Sequence, residues 1–270
     1  MKRKLGINID CLSGSLDEIS TLKIASETGF EVFTTSVREL GEMTRIKEKA
    51  VVLGMDFPFL HSPFSGINNM WLEGEEYRKV FDGIVYSVDV AAACDVQSVV
   101  LHVSSGWQAP PVNDLGLSRF DALVEYASKK GVTLAFENLR MLGNLAYLID
   151  RYEHNDTVRF CYDCGHEHCY TKTVSWIDIF TNKIIATHIH DNFSRPFGDK
   201  TTDPDSHWLP FDGTFDYHRM MRKLDKYGYA GPLVLEVYRG AREDYKKFSA
   251  EEFIATSYDR IKRISEINNL

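Results

Sequence analysis

The 270-residue chain is 44% hydrophobic and 26% charged, ordinary values for a globular protein with material for one sizeable core. A net charge of −8 argues against general attraction to nucleic acid, and no apolar run approaches the roughly 18 residues of a membrane span. Five cysteines at irregular spacing do not read as a disulfide framework and fit a reducing compartment. The N-terminal MKRKLGINIDC is basic but lacks the apolar centre of a signal peptide, so a soluble, cytoplasmic protein is expected.

In chain order, short β-rich runs alternate with helical patterns. KLGINID (4–10) is followed by a helix pattern ending at Gly29. FEVFTTSV (30–37) precedes a helix over 39–54, and MDFPFLHSPF (55–64) precedes one over 75–93. SVVLHV (98–103) leads to a helix over 113–130, and VTLAFEN (132–138) to one near 144–153. VRFCYDC (158–164) is followed by a helix near 173–182. KIIATHIHD (183–191) is followed by a polar loop and a helix over 215–227. GPLVLEVY (231–238) and a helix over 249–267 close the chain. Eight β-α units without a composition break predict an α/β fold, a (β/α)8 TIM barrel spanning residues 1–270 as a single domain. A doubly wound sheet would call for a glycine-rich phosphate turn after the first strand, and SGS at 13–15 is a weak candidate for it.

Barrel active sites lie at the C-terminal ends of the strands. Here those ends carry His61, His102, Glu137, Asp163, His188 with His190, and Glu236. Alternation puts Ala135 and Glu137 on one face, opposite Leu134 and Phe136. Cys161 and Asp163 likewise oppose Phe160 and Tyr162; His188 and His190 oppose Thr187 and Ile189; and Glu236 opposes Leu235 and Val237. Any one such residue at a strand end is ordinary, but six consecutive ends are not. Carboxylates and imidazoles converging on one mouth call for a compensating cation, and two Glu, one Asp and one His suit Mn²⁺, Co²⁺, Mg²⁺ or Zn²⁺.

These residues carry a resemblance over nearly the whole chain. It resembles the xylose-isomerase-like barrel superfamily, which groups sugar and sugar phosphate isomerases and epimerases with endonuclease IV. The resemblance implies a metal ligand set of Glu137 in FEN, Asp163 in YDCGH, His188 in HIHD and Glu236 in LEV, with His190 as the competitor for the strand-seven position. Asp163 and His166 fit its D-x-x-H motif. DSHWLPFDGTFDY (205–217) fits its H-x-L-P-x-x-G-T-x-D stretch, with a turn glycine and a helix-opening Thr/Asp at fixed offsets.

The implied activity is a divalent-metal-dependent isomerase or epimerase of a sugar, sugar phosphate or keto-polyol. It would proceed through a metal-stabilised enediolate, with Glu137 and Glu236 as the catalytic acid/base pair. Substrate oxygens would be bound by His61, His102, His166, His190 and His207, and Arg239 would hold a phosphate or carboxylate. Trp107 and Trp208 are loop aromatics that would stack on a sugar ring or simply pack. A lyase outcome such as inosose dehydration begins with the same proton loss.

The resemblance to endonuclease IV supplies the alternative, a trinuclear zinc phosphodiesterase acting on abasic DNA. Its nine ligand positions match His61, His102, Glu137, Asp163, His166, His188, Asp205, His207 and Glu236. The acidic charge, the NIDCLSG opening and the EVYRG continuation of strand eight favour sugar chemistry. The expected partner is a small-molecule sugar or sugar phosphate, with no nucleic acid and no membrane; a homo-oligomer is compatible with this reading. In CYDCGHEHCY (161–170), Cys161 and Cys164 are expected on opposite faces of a strand, which rules out a zinc knuckle. Cys169 and His166 are expected on the following loop.

Overall fold

The computed structural model describes residues 2–196, 198–201 and 204–267. Eight parallel strands are present: β1 (Leu5–Asn8), β2 (Val32–Thr34), β3 (Phe59–His61), β4 (Ser98–Leu101), β5 (Thr133–Glu137), β6 (Val158–Asp163), β7 (Ile184–His188) and β8 (Leu233–Leu235). They form two runs, β2-β1-β8 and β3-β4-β5-β6-β7. Parallel bridges Ser36–His61 and Ile189–Leu235 join the runs, so the order is that of a closed (β/α)8 barrel.

The strands are hydrophobic on both faces because each face meets a packed layer. One inward residue per strand fills the barrel floor: Val32, Phe59, Val100, Ala135, Cys161, Ala186 and Val234. On β1 this layer is completed by Gly6, where an added Cβ would stand 3.0 Å from Val32 and Val234, a tighter contact than packed side chains normally make. The outward residues Leu134, Phe136, Phe160, Tyr162, Leu233 and Leu235 belong to the larger core under the helices.

The surrounding helices are α1 (Glu18–Thr28), α2 (Leu40–Leu53), α3 (Tyr77–Ala93), α4 (Asp114–Lys130), α5 (Leu142–Arg151), α6 (Cys164–Tyr170), α7 (Trp176–Ile179), α8 (Tyr217–Lys226) and α9 (Ala250–Ser265). Their ends follow local chemistry. Asp17 and Asn113 cap α1 and α4, Ser249 and Glu252 form a capping box on α9, and Gly29 and Gly131 close α1 and α4 in the left-handed conformation.

Two expectations need correction. Residues 164–170 are helix α6, not loop, because the Asp163 carboxylate caps residue 166 and starts the helix directly at the strand end. His166 and Cys169 are therefore helical. The helix expected over 173–182 shrinks to the single turn α7, followed by a 3₁₀ turn over Thr181–Lys183. Among the described residues no helix is long and apolar enough to cross a membrane.

Candidate metal centre

Each metal-capable residue stands two positions beyond an inward floor residue. His61 follows Phe59, His102 follows Val100, Glu137 follows Ala135, Asp163 follows Cys161, His188 follows Ala186 and Glu236 follows Val234. The period-2 geometry of a strand therefore delivers all six side chains to the C-terminal mouth. Between β6 and β7 a register irregularity at Phe160/Cys161 sets Asp163 opposite His188.

Glu137 is the hub, and its carboxylate is 1% exposed. Its Oε2 lies 3.2 Å from His61 Nε2 and 3.1 Å from His102 Nε2. Its Oε1 lies 2.9 Å from His188 Nδ1 and 3.5 Å from His166 Nδ1. Burial alone would favour a neutral Glu137, but His188, His102 and His61 together hold it well below the usual carboxylate range. His188 is also 3.3 Å from Glu236 Oε2 and 3.9 Å from Asp163 Oδ2. Burial opposes charge on His188, yet Cys161, Glu236 and Glu137 raise it well above the usual imidazole value. His61 is likewise raised by Glu137 against its burial, whereas burial keeps His102 below the usual value.

The D-x-x-H spacing has a mechanical meaning, for it is the offset from a helix cap to the third residue of the helix. Asp163 Oδ1 accepts from His166 N at 2.6 Å. The cap pins the carboxylate and aims the imidazole in one stroke. His166 Nδ1 contacts the Asn138 carbonyl at 3.0 Å, and its Nε2 meets Asp205 Oδ2 at 3.0 Å. Burial disfavours a charged His166, but Asp163 and Asp205 raise it well above the usual value. His207 is pushed up to about 9, since Asp205 and Glu236 outweigh its burial.

His190 does not join the Glu137 set. Its Nε2 lies 3.1 Å from Asp163 Oδ1, and its ring stacks on His207 with centroids 4.0 Å apart. Donor atoms of Glu137, Asp163, His188 and Glu236 all lie within 4.8 Å of one another. The same holds for His61, His102 and Glu137, and for His166, His190, Asp205 and His207. Asp191, the last residue of HIHD, serves the chain instead. Its oxygens accept from Asn192, Phe211 and Phe215 backbone N–H groups at 2.9, 2.9 and 3.1 Å. Gly213 in the GT stretch is needed because a Cβ there would lie 2.3 Å from Asn192 O and Asp191 Oδ1.

A cavity of about 310 Å³ opens onto the hub. Its walls include Glu137, Glu236, His61, His102, His166, Asp205 and His207. Arg239, expected to bind an anion, is not part of that wall, and its Nη1 donates to the Phe248 carbonyl at 2.9 Å. Trp107 instead packs edge-on to Tyr170 under Arg195, and Trp208 forms an antiparallel bridge with Asp191. Sequence reasoning passed over Phe64 and Arg140, and gave Cys161 an inward position but no part in the site. Phe64, 48% exposed, lines the cavity and stacks on His102 at 4.4 Å. Arg140 lines it too, lying 3.7 Å over the Tyr170 ring. Cys161 lies directly beneath, within donor range of Glu137 and His188. Burial pushes its thiol up to about 12, so it stays protonated there. The LHSPF and ENLR stretches, each starting at or near a strand-end ligand, were the signals for Phe64 and Arg140.

The donor set fits a divalent cation. Glu137, Asp163 and Glu236 are each less than 9% exposed, and carboxylates packed this closely need positive charge among them. Oxygen-rich donors with one imidazole suit Mn²⁺, Mg²⁺, Co²⁺ or Zn²⁺.

Fold and mouth together define a (β/α)8 barrel with a metal-capable C-terminal mouth. A family model described as xylose isomerase-like TIM barrel matches residues 22–262, and the chain belongs to that family. It is 30% identical over 197 residues to "Uncharacterized protein y4fM" of Sinorhizobium fredii (strain NBRC 101917 / NGR234). That match covers 64% of this chain and 60% of the relative, so the chain spans less than two thirds of the relative's length. A xylose isomerase domain protein from Planctomyces limnophilus superposes with TM-score 0.75 at 12% identity, covering 97% of this chain and 96% of that one. L-ribulose 3-epimerase superposes with TM-score 0.73 at 17% identity, covering 98% and 95%. At these identities the likeness is one of fold.

Proposed function

We propose that this protein is a divalent-metal-dependent sugar isomerase or epimerase, with a keto-sugar, its phosphate or a keto-polyol as substrate. The observation that carries this reading is the convergence of Glu137, Asp163, His188 and Glu236, with donor atoms within 4.8 Å of one another, at the edge of a cavity of about 310 Å³. That size falls in the range of small-molecule sites. The fold likeness to L-ribulose 3-epimerase supports the same class.

A divalent cation bound by these four residues would polarise a substrate carbonyl and make its α-proton easier to remove. The chain's own groups do the rest. Glu137 and Glu236 lie 2.9 and 3.3 Å from His188 Nδ1, and both line the cavity, so two carboxylates are available to a molecule held there. One removes the α-proton and the other returns a proton. Return to the opposite face of the same carbon epimerises, whereas return to the neighbouring carbon interconverts aldose and ketose. His166 and His207 face the cavity and orient substrate hydroxyls, and Phe64 offers an apolar wall.

A second reading is favoured by one observation. The donor clusters include His61–His102–Glu137, the Glu137 hub, and His166 with Asp205 and His207, and Glu137 belongs to two of them. That arrangement suits a polynuclear zinc phosphodiesterase acting on abasic DNA. The net charge of −8 opposes it, since DNA binding needs cationic contacts to phosphate.

The deciding experiment combines metal counting with turnover. Purified protein is assayed by elemental analysis, then against a keto-sugar panel and an abasic duplex. Epimerised or isomerised sugar, with Glu137→Gln folded but slowed by roughly 10²–10⁴-fold, is the expected result. Three zinc ions per chain with cleavage of the duplex and no sugar turnover would replace the first reading by the second.

A further inference from the structure

We infer that a phosphate-type oxyanion binds in a second cavity, of about 220 Å³, between the end of α6 and the start of the β7–α8 connection, where Lys172, Arg195 and Lys200 hold it. This site stands apart from the sugar chemistry proposed above and does not depend on it.

The cavity shares no lining residue with the one at the hub. Tyr170 stands between the two. It lines the second cavity, while its ring stacks on His166, a wall of the first, with centroids 5.5 Å apart. Charge singles the second cavity out. Its described lining residues include Lys172, Arg195 and Lys200 but no carboxylate, and none of these cations makes an ion pair among the described residues. A third cavity, of about 240 Å³ between α6 and α8, shows the contrast. There Arg219 meets Glu167 at 3.4 Å and Lys223 meets Asp178 at 2.6 Å, so its cations are already answered. In a chain of net charge −8, unanswered cations around one hollow create a local field that favours an anion.

Two of the cations are held in place by the chain itself. Arg195 Nε donates to the Cys169 carbonyl at 2.6 Å, and the guanidinium lies 3.7 Å over the Trp107 ring. Lys172 Nζ donates to the Arg195 carbonyl at 2.8 Å, which ties the two segments together and leaves the ammonium further N–H donors. Lys200 Nζ stands 5.9 Å from the Trp107 ring and donates to no described residue. Service to the last carbonyls of α6 accounts for Arg195, but not for Lys200. Thr171 and Thr173 bring hydroxyls to the same wall. Thr171 is buried, and its Oγ1 accepts from Trp176 Nε1 at 2.9 Å, so its own hydrogen is left to donate. Arg195 therefore supplies fixed charge, and the lysines and threonines supply donors. A phosphate group, with roughly two charges at neutral pH and oxygens on several sides, uses cations that arrive from two segments.

The test is calorimetric titration of the full-length protein with inorganic phosphate, against sodium chloride of equal ionic strength. Saturable binding of a single phosphate per chain is expected. Lys172→Gln combined with Lys200→Gln, both at exposed positions, should weaken it at least about tenfold, the size of one lost hydrogen bond to a charged group. Glu236→Gln, which alters the cavity at the hub, should leave phosphate binding unchanged. Turnover then identifies the source of the phosphoryl group. A KM raised in the double variant for a phosphorylated keto-sugar alone makes it the substrate's own. A KM unchanged for phosphorylated and plain sugar makes it that of a separate phosphorylated molecule. No saturable phosphate binding, equal binding by wild type and double variant, or binding lost in E236Q overturns the inference. Binding is read without turnover, so a protein that holds phosphate through Lys172 and Lys200 but converts no sugar would sink the proposed function alone.

Discussion

Gly165→Ala is expected to destabilise the protein, against the usual sign of such a change. Gly165 is the second residue of α6, and in a helix Ala normally gains about 1 kcal/mol over Gly. Here an added Cβ would stand 2.0 Å from His190 Cε1, 2.3 Å from Nδ1 and 2.4 Å from Nε2. Ordinary carbon contacts need about 3.5 Å, so the ring would have to retreat by roughly 1.5 Å. It has nowhere to go, being fully buried, stacked on His207 and 3.1 Å from Asp163. Overpacking of this kind costs about 1–3 kcal/mol, and loss of the His190–Asp163 contact adds to it, so the net effect is a loss of about 1–2 kcal/mol. For a chain of this size that is a fall in Tm of roughly 2–6 °C. The assay is urea unfolding of metal-stripped protein, with a shifted midpoint at unchanged slope. Gly143→Ala is the matched control, because it occupies the second position of α5 and a Cβ there meets nothing within 4 Å. It should be neutral or slightly stabilising. A G165A protein as stable as the wild type would refute the claim that His190 is wedged against α6.

Three further outcomes are expected. Adding Mn²⁺, Co²⁺ or Zn²⁺ to stripped protein should raise stability by about 2.7 kcal/mol when free ion is 100 times Kd, read as a thermal shift that Glu236→Gln diminishes; no shift with any of them would sink the metal reading. His168 is held down to about 4 by burial and by Lys172 and Arg219, so it contributes stability above its unfolded value of 6.5 that is lost as pH falls from 6.5 toward 4. With a discount for its partial exposure the effect is about 1–2 kcal/mol, and His168→Asn should flatten that part of the urea-midpoint profile against pH. Phe64→Ala should raise KM about 2–10-fold with kcat nearly unchanged, as expected for lost stacking on a bound ring. A fall in kcat alone would place Phe64 in the chemistry instead of in binding.

The barrel was legible in the sequence because its signals are local and repeated. Strand runs are bounded by turns, α1, α2, α4 and α9 by a cap or a glycine, and strand alternation by itself carries Glu137, Asp163, His188 and Glu236 to one mouth. Helix α6 was not legible, since seven residues give almost two turns and too little periodicity to register. Its one strong signal was the Asp163 cap, concealed inside a motif usually read for its ligands. Arg239 stands off the cavity wall for a related reason. Proximity to Glu236 along the chain says nothing about direction once the strand has ended, and the 3₁₀ turn over Arg239–Ala241 carries the side chain to the Phe248 carbonyl.

The division of labour between His188 and His190 shows how far parity goes and where it stops. Both point inward, as alternation requires, so parity alone leaves both open as the strand-seven ligand. What separates them is depth. His188 is the last residue of β7, level with Asp163 across the ladder, and its Nδ1 reaches Glu137 and Glu236. His190 is one layer higher, above the end of the sheet, where the barrel widens and the connection to α8 folds over it. At that height the partners within reach are Asp163, Asp205 and His207. The residue that makes room for it is Gly165, 25 positions earlier in the chain. A two-residue step past the end of β7 thus separates a ring that meets the Glu137 and Glu236 carboxylates from one that meets Asp163, Asp205 and His207.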